Sequence, residues 1–232
     1  MINRARLHSD LSRLRRETDM LLATATSLSE DEMACPSLCE GWTRADVLAH
    51  IAGGSRTLTQ LVDEAVYGRG NTVSTPGQAQ SPAASNLAGL PRVDLLEELR
   101  GSAEAFAQQA ERLGGELAAP EVRVDGKSIP STSIVALRIS EVVVHHHDLD
   151  TAWTIEEADP DSLLNALEAV VRVLRAKGAP GMTLVTEERD EWTIGNGGQR
   201  ILSDREGLLQ WLARGDSQHI EVEGPVPALP SW

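Results

Sequence analysis

The segment SEVVVHHHDLDTAW, residues 140–153, places several side chains that can bind a metal ion within an otherwise apolar stretch. Carboxylate oxygens and imidazole nitrogens are ligands that zinc takes in catalytic sites. On a helix, Glu141, His145 and Asp148 follow each other at intervals of four and three residues and share one face, whereas His146 and His147 point away from it. Neighbouring residues cannot all reach one ion, so a metal site here requires a ligand from a distant part of the chain.

A second helix is predicted to supply that ligand. In GWTRADVLAHIAGG, Thr43 and Asp46 have the spacing of a capping box, which predicts a helix from about Thr43 to Tyr67. His50 lies on the apolar face of this helix, where a buried imidazole needs a polar partner. The glycine pair at residues 53–54 is unfavourable in a helix, which indicates that another group approaches this face closely.

Together, His50, Glu141 and His145 offer two nitrogens and one oxygen, the protein part of a catalytic zinc site whose remaining position is open. The same residues fit two other interpretations. Arg138 shares the face of Glu141 and His145, so the row can be a buried ion-pair network. A histidine on the core face of a helix can also be an ordinary hydrogen-bonded core residue. The spacing alone does not choose between these interpretations.

Composition excludes several classes of function. The 232-residue chain carries 35 acidic and 21 basic side chains, and its net charge of -14 repels a phosphate backbone, so nucleic acid is not expected as a partner. The N-terminus lacks the apolar region of a secretion signal, and no run of about 18 apolar residues occurs, so we expect a cytoplasmic protein without a membrane span. Cys35 and Cys39 are too few for a disulfide framework and are interpreted as structural thiols.

The elements that must position these residues are predicted from apolar periodicity. Bundle helices are predicted over 5–28, Thr43–Tyr67, Val93–Leu117 and from near Ser131 through the histidines, with a Gly- and Pro-rich crossover over 69–92. This pattern predicts a metal-binding four-helix bundle over residues 1–153. Residues 154–232 predict a small α+β domain with a helix over 161–177, three short strands and a last helix in DREGLLQWLARG. The chain is therefore assigned to the α+β class.

Three stretches of the sequence resemble the mycothiol-dependent maleylpyruvate isomerases, within the wider DinB-like group of metal-binding four-helix bundles. They are PSLCEGWTRADVLAHIAG, GKSIPSTSIVALRISEVVVHHHDLDTA, and LARGDSQ followed by VEGPVPALPSW. The resemblance implies that His50, Glu141 and His145 bind zinc or another divalent metal and that Arg214 is the catalytic arginine. The chain departs from the family at His146 and His147, where apolar or aromatic residues are more usual. That departure affects the surroundings of the metal rather than its ligands.

The resemblance also implies a mechanism. A zinc-activated mycothiol thiolate would add to the cis double bond of maleylpyruvate, the resulting single bond would rotate, and elimination would release fumarylpyruvate. Arg214 would bind the carboxylates of this dicarboxylate through its planar guanidinium and would have no part in metal binding. Asp148 would orient His145, and Arg138 is expected to pair with a neighbouring carboxylate.

Two other functions fit the same residues. One is another mycothiol-dependent S-transferase or detoxification enzyme, which would use the thiolate on a different electrophile. The other is a non-catalytic metal-binding regulator, which would have a closed metal site and an exposed surface for a partner. For the enzymes, the expected partners are a low-molecular-weight thiol and a small-molecule substrate. We expect a monomer whose site lies between the bundle and the C-terminal domain.

Overall fold

The N-terminal part of the protein is a bundle of four helices. The computed structural model describes residues 4–68, 86–124 and 127–230. The bundle helices are α1 (Arg4–Ser27), α3 (Arg44–Tyr67), α4 (Arg92–Ala110) and α5 (Ile134–Asp148), and the short α2 (Glu30–Met33) lies between the first two. Both α1 and α3 pack on α4 and α5. The predicted bundle is confirmed, whereas residues 69–85 of the predicted crossover lie outside the described residues.

The ends of two bundle helices follow from the local sequence. The Thr43 side chain accepts a hydrogen bond from the backbone N–H of Asp46, and Asp46 accepts one from the backbone N–H of Thr43 at 2.9 Å, so the predicted capping box is present. Helix α4 ends at Ala110 instead of continuing to residue 117, and a 3-10 turn over Glu111–Gly114 follows. The two glycines at the end of this turn are poor helix formers, which explains the earlier end.

A hairpin and a small sheet provide the β-structure of the described residues. The hairpin pairs β1 (Glu121–Val124) with β2 (Lys127–Pro130) ahead of α5. The C-terminal elements are α6 (Pro160–Ala176), β3 (Met182–Thr186), β4 (Glu191–Ile194), β5 (Gln199–Ser203), α7 (Arg205–Arg214) and β6 (Glu221–Val222). The strand order is β4–β3–β5–β6, in which β3 and β5 are parallel and the two outer pairs are antiparallel. The prediction of an α+β fold is therefore confirmed.

One continuous apolar core joins the bundle to the C-terminal part. Its buried side chains run from Leu7 in α1 to Ala213 in α7 without a break at residue 153. Helix α6 packs along α5, and α7 packs against α6. The domain boundary predicted between residues 153 and 154 stays a prediction. Within the described ranges, every helix is too short or too polar to cross a membrane.

Helices α3 and α5 are in close contact at Gly54. An ideal Cβ placed on Gly54 would lie 1.7 Å from Oε1 and 2.7 Å from Oε2 of Glu141. Arg138 holds this carboxylate in place, because its Nη1 donates to Oε2 of Glu141 at 2.7 Å and to the backbone oxygen of Ile51 at 2.9 Å. The carboxylate predicted to bind a metal therefore occupies the space that a side chain at position 54 would need.

A substitution at Gly54 tests this contact. Gly54→Ala is expected to destabilise the protein by about 1–3 kcal/mol although alanine is the better helix former, because it displaces a carboxylate that is paired in the interior. The matched control is Gly101→Ala in α4, where an added Cβ meets nothing within 4 Å and should stabilise the protein by up to about 1 kcal/mol. Denaturant unfolding measures both changes, and equal stabilisation by the two substitutions would contradict the contact.

Glu17 is a buried carboxyl group at the junction of α1 and α6. It is 1% exposed, and its Oε1 accepts a hydrogen bond from the backbone N–H of Asp159, the N-cap of α6, at 3.0 Å. Burial raises the pKa of Glu17 above its ordinary value of 4.5, and the hydrogen bond from Asp159 offsets part of that increase. The folded protein therefore holds this proton more tightly than the unfolded chain, and its stability falls as the pH rises from 4.5 through the raised pKa.

Glu17→Gln is expected to stabilise the protein at pH 7 to 8 and to lose this advantage as the pH falls to about 4.5. The amide keeps a carbonyl oxygen for the N–H of Asp159 and has no charge to bury. Denaturant unfolding across this pH range measures the effect, with Glu97→Gln on the exposed face of α4 as the control for removing one negative charge. A stability gain that is the same at every pH would contradict the assignment.

Candidate metal and catalytic site

His50 and Glu141 face each other across α3 and α5. His50 is 4% exposed, and its Nε2 lies 3.9 Å from Oε1 of Glu141. That separation is too long for a hydrogen bond and exceeds the roughly 3.3 Å between two ligands that each lie about 2 Å from a tetrahedral ion. Arg138 engages Oε2 of Glu141, so Oε1 is the oxygen turned toward His50. The carboxylate partner predicted for Arg138 is thus the candidate ligand itself.

His145 lies beside His50 and is oriented by Asp148. The two imidazole rings meet edge-on with their centroids 4.5 Å apart. Nδ1 of His145 lies 2.7 Å from Oδ2 of Asp148. A carboxylate only accepts hydrogen bonds, so this contact places the proton of a neutral ring on Nδ1 and the lone pair on Nε2. Burial, assisted by the nearby His145, lowers the pKa of His50 to about 3, so His50 is a neutral imidazole at physiological pH, the form that binds metals.

Arg214 reaches this cluster from the end of α7. Its Nε donates to Oδ1 of Asp148 at 2.8 Å, and its Nη2 donates to Oδ2 of the same carboxylate. Nη2 also lies 3.3 Å from Nδ1 of His145, and Nη1 donates to the backbone oxygen of Ala213 at 2.9 Å. Although burial opposes its ionisation, hydrogen bonds from Arg214 and His145 hold the pKa of Asp148 below its ordinary value. The guanidinium points into the protein. The pair of N–H donors that was predicted to bind the substrate carboxylates donates to Asp148 instead.

Cys39 is a neighbour of the site that the sequence did not reveal. Its Sγ, a nitrogen of His145 and an oxygen of Asp148 lie within 4.8 Å of one another. The backbone N–H of Leu38 donates to the carbonyl oxygen of Asp148 at 2.9 Å, which holds this segment against the end of α5. Burial and the charge of Asp148 raise the pKa of Cys39 to about 12, so the thiol keeps its proton at neutral pH. A contact set only by tertiary folding leaves no signal in the spacing of Cys39 and Asp148.

Two sets of donor groups are therefore candidates for a metal ion. Among the residues that the structure describes, Cys39, His145 and Asp148 form the compact set, whereas the donor atoms of His50, Glu141 and His145 do not all lie within 4.8 Å of one another. The compact set is poorly suited to a cation, because both oxygens of Asp148 already accept hydrogen bonds from the guanidinium of Arg214. His50 is neutral and faces a carboxylate oxygen, which is the donor chemistry that a divalent ion takes, and the set of His50, Glu141 and His145 stays a prediction.

The other histidines of the run lie away from this cluster. His146 is a core residue whose Nε2 lies 2.8 Å from Oγ1 of Thr24 and whose ring stacks on Trp153 at a centroid distance of 3.8 Å. His147 is half-buried and lies about 100° further around the helix than His146. The three consecutive side chains therefore have different surroundings, as their 100° spacing around a helix predicts.

Known proteins share both the sequence pattern and the fold. Residues 14–150 match the family described as mycothiol maleylpyruvate isomerase N-terminal domain. Two crystal structures, of the mycothiol-dependent maleylpyruvate isomerase and of a mutant of it, have a TM-score of 0.77, cover 100% of both chains and are 23% and 22% identical. No curated protein sequence matches the chain. The structural likeness shows a common fold. Because the family match spans more than half of the chain and includes His50, Glu141 and His145, the protein belongs to the mycothiol maleylpyruvate isomerase family.

Proposed function

We propose that this protein is a mycothiol-dependent cis-trans isomerase that converts maleylpyruvate to fumarylpyruvate. We further propose that it holds a divalent metal ion, expected to be zinc, at His50, Glu141 and His145. The observation that carries the proposal is that the buried His50 faces Oε1 of Glu141, the oxygen that Arg138 does not engage, with the ring of His145 beside it. Membership of the family supports the same reaction.

The metal and the thiol would supply the chemistry that side chains lack. A divalent ion would lower the pKa of the mycothiol thiol so that a thiolate forms near neutral pH. The residues of the chain prepare the site for this. Arg138 engages one oxygen of Glu141 and leaves the other facing His50, while Asp148 fixes the tautomer and direction of His145. Each candidate ligand on α5 is thus held by a second side chain.

The charges around the site suit an anionic thiol and an anionic substrate. The cations Arg138 and Arg214 are balanced by the carboxylates Glu141 and Asp148, and His50 is neutral. The net charge of the site would then be that of the bound ion, in a chain whose overall charge is -14. A local positive charge in a buried site favours a thiolate and a dicarboxylate.

The proposed site draws on both parts of the chain. We propose a metal-binding bundle over residues 1–153 and a C-terminal domain over 154–232, with Arg214 as the contribution of the latter to the site. The apolar core that continues through α5 and α6 supports a fixed rather than a mobile junction. The partners of such a site are a small thiol and a small dicarboxylate.

The reaction is tested with purified, zinc-loaded protein. Maleylpyruvate should be converted to fumarylpyruvate in the presence of mycothiol, and omission of the thiol or removal of the metal by a chelator should abolish turnover. Generic electrophiles tested in parallel separate an isomerase from a thiol transferase. Thiol-dependent turnover of those electrophiles without isomerisation of maleylpyruvate would replace the proposed reaction with conjugation.

The ligand assignment is tested by His50→Ala. We expect this variant to lose most of its bound zinc and to lower kcat/KM by more than about a hundredfold, since removing only a supporting partner of a ligand costs about 10- to 100-fold. His147→Ala, on the same helix as His145, is the matched control and should keep metal and activity. Zinc content by elemental analysis and turnover measure both, and a stoichiometrically loaded His50→Ala protein would remove His50 from the site.

A further inference from the structure

The contacts of Arg214 differ from those of an arginine that is open to a substrate. Two of its nitrogens donate to the two oxygens of Asp148, and the third donates to the backbone oxygen of Ala213. The bidentate edge, which gives arginine its affinity for carboxylates, is thus used inside the protein. A substrate carboxylate could take this edge only by displacing Asp148, which is 0% exposed.

Asp148 connects this guanidinium to the candidate metal ligand. Its Oδ2 lies 2.7 Å from Nδ1 of His145 and also accepts from Nη2 of Arg214. Hydrogen bonds from a carboxylate to the outer nitrogen of a ligating histidine fix the ring orientation and increase its basicity. A guanidinium on the same carboxylate withdraws negative charge from it and fixes its position, so Arg214 can influence His145 without touching any bound molecule.

We propose that Arg214 acts on the metal site through Asp148 and His145, as a positioning residue, rather than on the carboxylates of the substrate. The inference rests on the metal site proposed above at His50, Glu141 and His145. Asp148 without Arg214 would be a buried and poorly compensated carboxylate. It would interact more strongly with His145 and change both the orientation of the ring and the electron density that the ring offers to the ion.

Cobalt substitution tests this coupling in the absence of both thiol and substrate. The visible absorption of protein-bound Co²⁺ depends on the geometry and donor strength of the ligands. We expect Arg214→Met and Asp148→Asn each to shift the Co²⁺ bands, and Asp148→Asn to weaken Co²⁺ binding by about 10- to 100-fold. Because Arg214 acts through the carboxylate, the double variant Asp148→Asn/Arg214→Met should have the spectrum of Asp148→Asn alone.

The chain offers a matched control in the same helix. Arg205, the first residue of α7, forms a partly buried ion pair with Asp190 at 2.6 Å. Arg205→Met removes a comparable cation from the C-terminal part and should leave the Co²⁺ spectrum of the wild type unchanged. In turnover assays, Arg214→Met and Asp148→Asn should lower kcat while the KM for maleylpyruvate stays within about threefold, and their losses should not add.

Each outcome decides the proposal. A wild-type Co²⁺ spectrum in Arg214→Met, together with a raised KM, would assign Arg214 to the substrate and overturn the inference. If Arg214→Met does not fold, the test is the comparison of Asp148→Asn with the double variant. The double variant has neither charge of the buried pair, so it leaves no unpaired charge in the interior. A further band shift in the double variant overturns the inference. If the wild-type protein binds no Co²⁺, both the proposed metal site and the inference on Arg214 are wrong. If the Co²⁺ bands shift in the variants as expected but the protein does not isomerise maleylpyruvate, only the proposed reaction is wrong.

Discussion

Asp148 occupies a position in which an ionised carboxylate is costly, since its side chain is 0% exposed and lies in the last turn of α5. Taking a carboxylate out of water costs several kcal/mol unless donors surround it. His145 and Arg214 provide these donors, and they come from the bundle and from the C-terminal helix α7. The backbone carbonyl of the same residue accepts from Leu38. Three segments that are distant in sequence are therefore held together at Asp148, whose side chain also orients the candidate ligand His145.

A second ion pair, between Arg138 and Glu141, positions another candidate ligand of the same site. Arg138 is 1% exposed, and it ties Glu141 to the backbone of α3 through Ile51. The contact requires Gly54, because the carboxylate fills the space in which any other residue would place its Cβ. The pair thus fixes which oxygen of Glu141 is turned toward His50, while the pair of Asp148 and Arg214 fixes which nitrogen of His145 is protonated. Together the two pairs leave the site without net charge before a cation enters.

Periodicity and capping rules predicted the features that depend on neighbouring residues. The capping box of Thr43 and Asp46 set the start of α3 and hence the face on which His50 lies. The four-residue interval placed Glu141 and His145 on one face of α5, and the glycines after Ala52 indicated that another group approaches this face closely, which is Glu141. Features that depend on tertiary contacts could not be predicted from periodicity or capping. The proximity of Cys39 to Asp148, the engagement of Arg214 by that carboxylate and the burial of His146 against Trp153 each join segments whose relative positions no local pattern encodes.

The run of three histidines shows why residue types alone did not define the site. Successive side chains on α5 are separated by about 100°, so each histidine meets a different neighbour. His145 faces α3 and the end of α7, His146 fills a space between α1 and Trp153, and His147 remains half-buried. The Nε2 of His146 is engaged with Thr24 and its ring stacks on Trp153, so these contacts assign it to packing between α1 and the end of α5. What distinguishes His145 is therefore its contact with Asp148, because a carboxylate on Nδ1 leaves Nε2 as the nitrogen with a lone pair, the form required of the proposed metal ligand.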